Sequence, residues 1–398
     1  MIGRRHFLGL SALTGQAARE SRKVDEWFTA SATADRTPRV GIVLSSFGGS
    51  TEHDGTSLKG LATPRAVDAQ LSYTEIDAMV RRVIELGGQR RGSLDSIIGT
   101  EDWVVIKPNI VSCHGLGPAD GPSHHPYVHG TVTDLRLVKS VISFLAEKKR
   151  GRRITIAEGS GEWQPVERSK LRVDGWNTDW GGAFGGLSYR GMVDDFARRH
   201  PAVRFDIVDL NFDEQFEAPA PGRAHAANNR AGLYAIPKTI RSCDKLISIA
   251  PLKTHAACGV SLTAGNYMGI APGARYGFPK KALDDLGAPD DVMIDLFLHH
   301  PADYAIAGGS WGLEGEGPCA PGGASVHHNV IVAGPNATAV DTVAAAVMGF
   351  DPKTLPYLQK LERRGFGLAD IDAIWTRGNE VEQARRVFRK PSAWEKRG

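Results

Sequence analysis

The segment DWVVIKPN, residues 102–109, is a short run of apolar, mostly β-branched residues that ends in Lys-Pro-Asn. Apolar runs of this length, bounded by polar residues, glycine or proline, indicate buried strands. Pro108 fixes its own φ angle and biases Lys107 toward an extended backbone, so the lysine should end the strand instead of beginning a helix. The segment therefore predicts a buried strand with a lysine held at its carboxyl end.

The same pattern recurs along the chain, with helix-like patterns between the apolar runs. We expect strands at residues 39–45, 102–109, 153–159, 204–210, 243–250, 303–309 and 329–334. We expect helices at residues 73–86, 134–149, 339–348 and 354–364, and around residues 191–199. Strands that alternate with helices favour parallel pairing and right-handed crossovers. The sequence therefore predicts an α/β fold, a layered, mainly parallel sheet flanked by helices, with glycine-rich loops at the strand carboxyl ends.

Size and charge limit the classes of protein to which the chain can belong. Its 398 residues suit one large α/β domain, which we place at residues 37–398. The 48 basic and 45 acidic residues leave a net charge of +3, which is too small to indicate a nucleic-acid partner. After the first residues, no apolar run has the length of a transmembrane helix, so we expect no membrane span.

Residues 1–36 differ from the rest and are interpreted as an export-signal-like leader and linker. Arg4 and Arg5 stand before Phe7, Leu8 and a short run of apolar and small residues. This order is typical of a twin-arginine signal, which directs folded proteins to the twin-arginine export machinery and so to the periplasm. The alternative is a basic terminus without a targeting role, which would leave the protein in the cytoplasm.

Charged and polar side chains follow several of the predicted strands. Ligands of open parallel sheets bind outside the carboxyl ends of the strands, because successive loops converge there. A lysine at such an end supplies positive charge for an anion or oxyanion, and histidine or glutamate can transfer protons. The alternative for each lysine is a side chain that lies along the sheet edge with its ammonium group in water. The sequence thus predicts four catalytic residues that act on a small anionic substrate: Lys107, Lys253, His255 and Glu314.

A metal ion is a further candidate ligand at these strand ends. Imidazole and carboxylate groups suit divalent and transition metals, and the predicted ligands are His255, Glu158 and Glu314. The remaining candidate histidines do not have the HExxH spacing of a zinc protease: His114, His124, His125, His129, His327 and His328. Because solvated loop histidines are the ordinary alternative, the sequence does not identify the metal.

The cysteines offer a separate redox chemistry. Cys113, Cys258 and Cys319 each lie a few residues beyond a strand-end motif, so three thiols could meet, whereas Cys243 begins a predicted strand and suits the core. The absence of a CxxC pair argues against an iron–sulfur cluster built from local spacing. The alternative is three unrelated small residues in glycine-rich loops. Residues predicted to contact a cofactor are Asn109, Asn266, Cys113, Cys258 and Cys319.

In their order along the chain, VVIKPN, ITIAEGSG, LISIAPLKTHAACGVSLTAGNYMGI, EGEGPCAPGG and VAGPNATAVDTVAAAVMGFDP resemble the domain of unknown function 362 family. The resemblance extends from about residue 40 to about residue 379. Some members are labelled uncharacterised iron–sulfur centre proteins because they carry a ferredoxin module, for which this sequence has no counterpart. The chain also has Gly265 where the family usually has lysine, and Gly309 where aspartate is common. The resemblance implies a fold and candidate positions, but no reaction.

We therefore expect an exported, metal-dependent enzyme that acts on a small anionic substrate through an unknown reaction. One alternative is a non-catalytic protein that binds a ligand or cofactor with the same lysines. Another is a redox protein that uses Cys113, Cys258 and Cys319. Metal content, ligand affinity and a visible chromophore are the measurements that distinguish these three hypotheses.

Overall fold

The computed structural model describes residues 38–53, 56–88, 93–110, 127–160, 175–219, 233–317 and 322–395. The leader expected at residues 1–36 lies outside these ranges, so the twin-arginine signal, export and periplasmic location stay predictions from the sequence. Within the described ranges, no helix combines the length and apolar character needed to cross a lipid bilayer.

Most strands of the described ranges belong to one sheet of ten strands. In chain order the strands are β1 (Arg39–Leu44), β2 (Ser50–His53), β3 (Thr56–Lys59), β4 (Trp103–Lys107), β5 (Arg153–Glu158), β6 (Arg204–Asp209), β7 (Gln215–Ala218), β8 (Tyr234–Pro237), β9 (Lys245–Ala250), β10 (Lys253–His255), β11 (Gly259–Ser261), β12 (Tyr304–Gly315), β13 (Gly323–Gly334) and β14 (Trp375–Gly378). β2–β3 and β7–β8 are separate antiparallel pairs.

The large sheet is mainly parallel. Its order is β14-β1-β13-β12-β9-β4-β5-β6, and β10 pairs with both β11 and β12. β12, β9, β4, β5 and β6 pair in parallel, as do β1 and β14. β13 is antiparallel to both of its neighbours, β1 and β12, so it runs against the other seven strands of this order. The predicted α/β fold with a mainly parallel sheet is confirmed.

Helices cover both faces of this sheet. The α-helices are α1 (Tyr73–Leu86), α2 (Leu94–Ile97), α3 (Leu135–Glu147), α4 (Tyr189–Arg199), α5 (Lys238–Ser242), α6 (Gly273–Tyr276), α7 (Pro289–Leu298), α8 (Ala337–Val347), α9 (Pro356–Arg363), α10 (Val381–Ala384) and α11 (Ser392–Glu395). Short 3₁₀ helices span Gly265–Ile270, Lys281–Leu283, Pro352–Thr354 and Ile371–Ala373. α1 packs on β1 and α3, whereas α8 packs on β12 and β13.

Helix α1 shows how local sequence sets an element. The Ser72 hydroxyl accepts a hydrogen bond from the backbone N–H of Glu75, and the Glu75 carboxylate accepts one from the backbone N–H of Ser72, which together form a capping box. Ile76, Val80 and Val83 recur at helical spacing and are buried on one face. The observed bounds are those predicted from the pattern, because the cap and the apolar face both act within a few residues.

The sheet is buried on both faces because its strands carry apolar residues on both sides. In β4, Val105 packs into one hydrophobic cluster, while Val104 and Ile106 pack into the cluster on the opposite face. Alternate side chains of a strand point to opposite faces, so this continuous apolar run is what a central parallel strand requires. The end of β4, where Lys107 stands, is therefore surrounded by packed layers.

The hairpin of β12 and β13 is longer than predicted. The sequence predicted strands only at residues 303–309 and 329–334, because the glycines between them suggested loops. The register shifts between Gly309 and Trp311, and Gly308 and Gly309 have φ angles of 125° and 139°. A bulge with glycines in this region lets the strand bend and continue. A Cβ atom at Gly308 would overlap the carbonyl oxygen of Val330 on the facing strand, so the close approach also requires glycine.

Candidate functional site

The candidate site lies where neighbouring parallel strands end. Lys107 is the last residue of β4, and Glu158 is the last residue of β5, which pairs with it in parallel. β9 lies on the other side of β4 and ends at Ala250, after which the chain enters β10 at Lys253. Because parallel strands end at the same edge of a sheet, these three charged residues come to one edge.

Lys107 and Glu158 form a buried ion pair at this edge. Their side chains are 0% and 3% exposed, and Lys107 Nζ lies 2.5 Å from Glu158 Oε2. Lys107 Nζ also donates to Asn266 Oδ1 at 2.9 Å and to the carbonyl oxygen of Pro108 at 3.2 Å. Burial lowers the pKa of Lys107 from its ordinary value, and the Glu158 carboxylate opposes that shift. The three N–H groups of the Lys107 ammonium therefore have three acceptors within the protein.

Two asparagines connect this ion pair to Lys253. Asn109 Nδ2 donates to Asn266 Oδ1 at 3.1 Å, and Lys253 Nζ donates to Asn109 Oδ1 at 2.5 Å. Lys253 Nζ also donates to the carbonyl oxygen of Thr131 at 3.0 Å. The structure thus joins five of the predicted site residues in one hydrogen-bonded chain. We call these residues the edge network: Lys107, Asn109, Glu158, Lys253 and Asn266.

The two lysines of the edge network lie beneath the surface. Lys107 and Lys253 are both 0% exposed, so neither ammonium group meets solvent in this conformation. Their direct contact with an anion or oxyanion therefore stays a prediction. In this geometry the two lysines have a positioning role, because their hydrogen bonds hold the strand ends and the loops of this edge together. They also place positive charge beneath the surface of the edge.

The 3₁₀ helix Gly265–Ile270, which we call the covering helix, lies over the edge network and supplies Asn266. Asn266 Nδ2 donates to the backbone carbonyl oxygen of Lys107 at 2.9 Å and to Ser248 Oγ at 3.1 Å. A Cβ atom at Gly269 would overlap Glu158 Oε1 and lie 2.6 Å from Lys107 Nζ. Glycine at this position therefore lets the backbone close over the ion pair.

An acid of helix α8 anchors the turn that precedes the covering helix. Asp341 is fully buried, and its carboxylate accepts hydrogen bonds from the backbone N–H groups of Thr263 at 2.8 Å and Ala264 at 3.0 Å. Tyr357 Oη donates to the same carboxylate at 3.3 Å. Burial raises the pKa of Asp341 to about 6, although these hydrogen bonds oppose the shift. Asp341 thus positions the covering helix and does not itself reach the edge network.

Substitution of Gly269 by alanine tests the close approach of the covering helix. We expect Gly269→Ala to lower the free energy of unfolding by about 1–3 kcal/mol, because the added methyl group forces the ion pair or the helix to move. Urea denaturation at pH 7 measures the change. The control is Gly265→Ala in the same helix, where the nearest atom to a new Cβ is Ser261 Oγ at 3.0 Å, the end of a small side chain. Equal losses in the two variants would contradict the assignment.

A third lysine, Lys280, reaches the same edge from the chain that follows α6. Its Nζ donates to the carbonyl oxygen of Gly159 at 2.7 Å and makes longer contacts with the carbonyl oxygens of Met268, at 3.4 Å, and Gly269, at 3.3 Å. Gly159 directly follows Glu158 of the edge network. In contrast to the two lysines of the network, Lys280 is partly exposed. The residue is thus partly exposed, while its amino group is buried against the covering helix and the loop after β5.

The segment that carries Lys280 is held against the end of β6. Asn211 Oδ1 accepts a hydrogen bond from the backbone N–H of Gly273 at 2.8 Å. The rings of Phe212 and Phe278 stack with their centroids 6.1 Å apart. These contacts, one at the first residue of α6 and one just after its end, keep Lys280 close to the loop that follows β5.

The surroundings of Lys280 shift its proton equilibrium toward neutral pH. Burial of its amino group lowers the pKa of Lys280 to about 7; the Glu158 carboxylate raises it, Lys107 lowers it further, and Asp209 raises it. Lysine ordinarily titrates near pH 10.4. At pH 7 this side chain is therefore present in both the protonated and the neutral form.

His255 makes hydrogen bonds within the turn that follows β10. It ends β10, and its Nδ1 atom accepts hydrogen bonds from the backbone N–H groups of Ala257 at 3.2 Å and Cys258 at 3.3 Å. Burial and the nearby Lys253 lower the pKa of His255 to about 4, so the ring is neutral at pH 7. The structure shows a turn-capping histidine, and its predicted catalytic and metal-binding roles stay predictions.

Glu314 contacts the C-terminal part of the described chain and not the edge network. Its Oε2 atom accepts a hydrogen bond from the backbone N–H of Arg389 at 2.9 Å. The neighbouring acid Glu316 accepts from the backbone N–H of Ser392 at 2.7 Å. Trp394 of α11 adds a hydrogen bond from its indole N–H to the carbonyl oxygen of Ala256 at 3.0 Å. In this conformation the two glutamates hold the chain around residues 389–394 against the sheet.

The predicted metal and cysteine sites are not assembled in the described part of the chain. There, no three His, Cys, Asp or Glu side chains lie close enough to share a metal ion, so His255, Glu158 and Glu314 do not form a ligand set. Burial raises the pKa of Cys258 well above its ordinary value, and nearby Asp290 adds to the shift, so its sulfur stays a thiol at pH 7. Candidates that lie outside the described residues are Cys113, His114, His124, His125 and Cys319. Metal binding and redox chemistry that use them stay predictions.

Two of the remaining histidines stack on a tryptophan. Trp311 lies between His129, with ring centroids 4.7 Å apart, and His327, with ring centroids 4.0 Å apart. His328 instead contacts the carbonyl oxygen of Ala384 through Nε2 at 2.8 Å. Aromatic packing explains the positions of His129 and His327, and they lie apart from the edge network.

Comparison with known proteins places the chain in a family. The profile of the family described as "Domain of unknown function (DUF362)" matches residues 104–346, which is more than half of the chain. The chain is a member of the DUF362 family. A thylakoid-associated protein of Synechocystis sp. is 26% identical to this DUF362 protein over 129 residues, which are 32% of this chain and 40% of that relative. The chain therefore matches less than half of that relative's length.

The matched region of this DUF362 protein contains the whole edge network and Lys280. Sequence reasoning missed Lys280, Gly159 and Gly269 as site residues. Lys280 stands in GFPKKAL beside a second lysine, and no local pattern separates the two. Gly159 and Gly269 belong to glycine-rich segments, where many positions look alike. The signal that singles them out is the tertiary contact between the end of β5 and the covering helix.

Proposed function

We propose that this DUF362 protein binds a small organic anion at the edge formed by the edge network and Lys280, and acts on it as an enzyme. The observation that carries this function is a partly exposed lysine, Lys280, which lies at the carboxyl edge of the parallel strands and next to the buried cation of Lys107. Open α/β sheets bind ligands at this edge.

Charge at the edge supports an anionic ligand. Lys107, Lys253 and Lys280 contribute three amino groups, and Glu158 and Asp209 contribute two carboxylates. Lys107 neutralises Glu158 directly, so Lys253 and a protonated Lys280 face the single carboxylate of Asp209, which leaves one positive charge in excess. In a partly desolvated position, an unbalanced cation attracts an anion more strongly than it would in water.

The proton equilibrium of Lys280 supports catalysis over binding alone. A group that titrates near the working pH can donate and accept protons at useful rates, and a neutral amine is a nucleophile. Among the titratable groups around the edge network, Lys280 combines a pKa of about 7 with partial exposure to solvent. Such a group is a functional-site candidate on physical grounds.

Binding of oxalate, which is fully ionised above pH 6, tests the proposed anion site. We expect oxalate to bind about tenfold more tightly at pH 6 than at pH 8, because Lys280 gains its proton as the pH falls through 7 and one charge interaction of this kind is worth about 1.4 kcal/mol. Isothermal titration calorimetry at constant ionic strength measures the affinity.

The matched variants are Lys280→Met and Lys281→Met. Lys281 is exposed and adjacent in the chain, so Lys281→Met should retain both the affinity and its pH dependence. Lys280→Met should weaken binding at pH 6 and abolish the difference between the two pH values. Binding that is absent in the unmodified chain, or that responds equally to both substitutions, would overturn the proposed site.

A further inference from the structure

We infer that a pocket beside helix α1 binds a zwitterionic α-amino acid whose side chain is apolar and about the size of a benzene ring. The pocket lies at the end of β1, which three strands separate from β4 and the edge network in the sheet order. The inference therefore goes beyond the proposed anion site and does not depend on it. The evidence is the volume of the pocket, its apolar floor and the ion pair at its mouth.

The pocket is formed by the end of β1, by the chain that precedes α1 and by one side of α1. Its volume is about 190 Å³. An engineered apolar cavity of about 150 Å³ is large enough to bind benzene. The volume therefore suits one aromatic ring or a large aliphatic side chain. The lining residues are Ser45, Leu61, Ala62, Thr63, Arg65, Leu71, Thr74, Glu75, Ala78 and Met79.

The burial of these residues distinguishes the floor of the pocket from its mouth. Ser45, Leu71 and Met79 are buried, whereas Thr63 and Ala78 are exposed. A ligand that enters from solvent thus passes polar and small side chains before its apolar group reaches Leu71 and Met79. Removal of this apolar surface from water favours binding.

Hydrogen bonds to the end of β1 hold one wall of the pocket in place. The backbone N–H of Arg65 donates to the carbonyl oxygen of Ser45 at 2.7 Å, and Ser45 Oγ donates to the carbonyl oxygen of Ala66 at 2.9 Å. The backbone N–H of Leu61 donates to the carbonyl oxygen of Phe47 at 2.7 Å. The wall is therefore formed before a ligand arrives, which reduces the entropic cost of binding.

An ion pair supplies two opposite charges at the mouth of the pocket. Arg65 Nη1 lies 3.3 Å from Glu75 Oε1, and the two side chains are 46% and 22% exposed. Glu75 Oε2 accepts hydrogen bonds from the backbone N–H of Ser72 at 2.7 Å and from Ser72 Oγ at 2.8 Å. These hydrogen bonds lower the pKa of Glu75, so its carboxylate is ionised at pH 7. The capping box of α1 thus holds a charged carboxylate beside the pocket.

The two charges match the head group of an α-amino acid. The carboxylate of the ligand accepts two parallel hydrogen bonds from the Arg65 guanidinium, and its ammonium group donates to Glu75 Oε1. A partly exposed ion pair with a single contact contributes little to stability, so the ligand replaces it at small cost. A ligand with only one charge separates Arg65 from Glu75 and leaves one of them without a charged partner. The pair therefore selects a zwitterion.

Isothermal titration calorimetry of the full-length chain with L-phenylalanine at pH 7 tests this inference. We expect L-phenylalanine to bind about tenfold or more tightly than 3-phenylpropanoate, which lacks the ammonium group, and 2-phenylethylamine, which lacks the carboxylate. Glycine, which has no side chain for the pocket, should bind more weakly still. If L-phenylalanine does not bind, the site is wrong. If 3-phenylpropanoate or 2-phenylethylamine binds as tightly, the zwitterionic class of ligand is wrong.

Four variants locate the bound ligand. Arg65→Met should weaken the binding of L-phenylalanine about tenfold, because it removes the partner of the ligand carboxylate. Ala78→Phe should abolish binding, because the new ring fills the pocket from an exposed position of α1. Lys59→Met is the matched control, since Lys59 is exposed on β3 and does not line the pocket. Lys280→Met should also retain the affinity, which separates this site from the anion site. Equal effects of Arg65→Met and Lys59→Met would overturn the assignment.

Discussion

A chain that carries Lys107→Met is expected to lose about 3–5 kcal/mol of its free energy of unfolding, because removal of one member of a buried ion pair leaves the other without its partner. Glu158 is 3% exposed, and its Oε2 atom lies 2.5 Å from the ammonium group that the substitution removes. The backbone N–H of Gly159, which donates to Glu158 Oε1 at 2.9 Å, cannot replace that charge. Urea denaturation at pH 7 measures the loss.

The double variant Lys107→Met, Glu158→Gln separates the loss of charge pairing from a change in packing. Glutamine keeps the size of glutamate but carries no charge, so the double variant should recover at least half of the stability that the single variant loses. A single variant within about 1 kcal/mol of the unmodified chain would show that the buried pair is not an important contributor. If the double variant is as unstable as the single one, the loss of stability comes from the packing of the lysine side chain and not from its charge.

The second large effect concerns acid stability and His299, the residue that follows α7. His299 is 5% exposed, and neither of its ring nitrogens has a hydrogen-bond partner among the described residues. Burial, with the nearby Arg241, lowers the pKa of His299 to about 3. As the pH falls from about 6.5 toward 3, the unfolded chain takes up a proton that the folded chain excludes, so the fold loses stability by up to about 4 kcal/mol.

We expect His299→Leu to remove this dependence. Leucine has a similar size and no polar atom, so the variant should be at least as stable as the unmodified chain at pH 7 and about 4 kcal/mol more stable near pH 3. Denaturation series at several pH values measure the difference between the two chains. Burial raises the pKa of neighbouring Asp295 to about 6, so Asp295 adds stability as the pH falls. Because both chains contain Asp295, its contribution cancels in the difference, which reports His299.

His200→Leu is the matched control for the acid-stability prediction. His200 also follows a helix directly, at the end of α4, but it is partly exposed. Its replacement should change the pH dependence of stability far less than His299→Leu does. The prediction is contradicted if the His299 variant and the unmodified chain show the same dependence of unfolding free energy on pH. That result would mean that the ring of His299 takes up a proton in the folded state.

Much of the sheet could be predicted because its strands are local patterns of buried residues. The runs that became β4, β5 and β9 are apolar on both faces, and each ends at or near a charged residue that interrupts the apolar pattern. The direction of β13 could not be predicted in this way. Its first half contains Gly323, Ala324 and Ser325, and the pairing depends on the bulge of the facing strand.

The candidate site was predictable in its location but not in the state of its side chains. The rule that ligands bind at strand carboxyl ends correctly brought Lys107 and Glu158 to one edge. Whether a lysine there faces solvent depends on the covering helix, whose Asn266 contacts Lys107 from 159 positions further along the chain. The burial and the pKa of an amino group therefore depend on contacts between distant parts of the chain. Lys280 was missed because its contacts are also of this kind.

The position of β1 in the sheet determines when the fold can be completed during synthesis. β1 lies between β13 and β14, and the backbone N–H of Leu44 donates to Asn379 Oδ1 at 2.9 Å, a hydrogen bond between residues 335 positions apart. Both neighbours of β1 therefore leave the ribosome late, and until then the backbone N–H and C=O groups of β1 have no native strand to pair with. Such distant pairing slows folding and leaves an aggregation-prone strand exposed on the nascent chain. Protection of residues 39–44 by a chaperone during translation is the expected consequence.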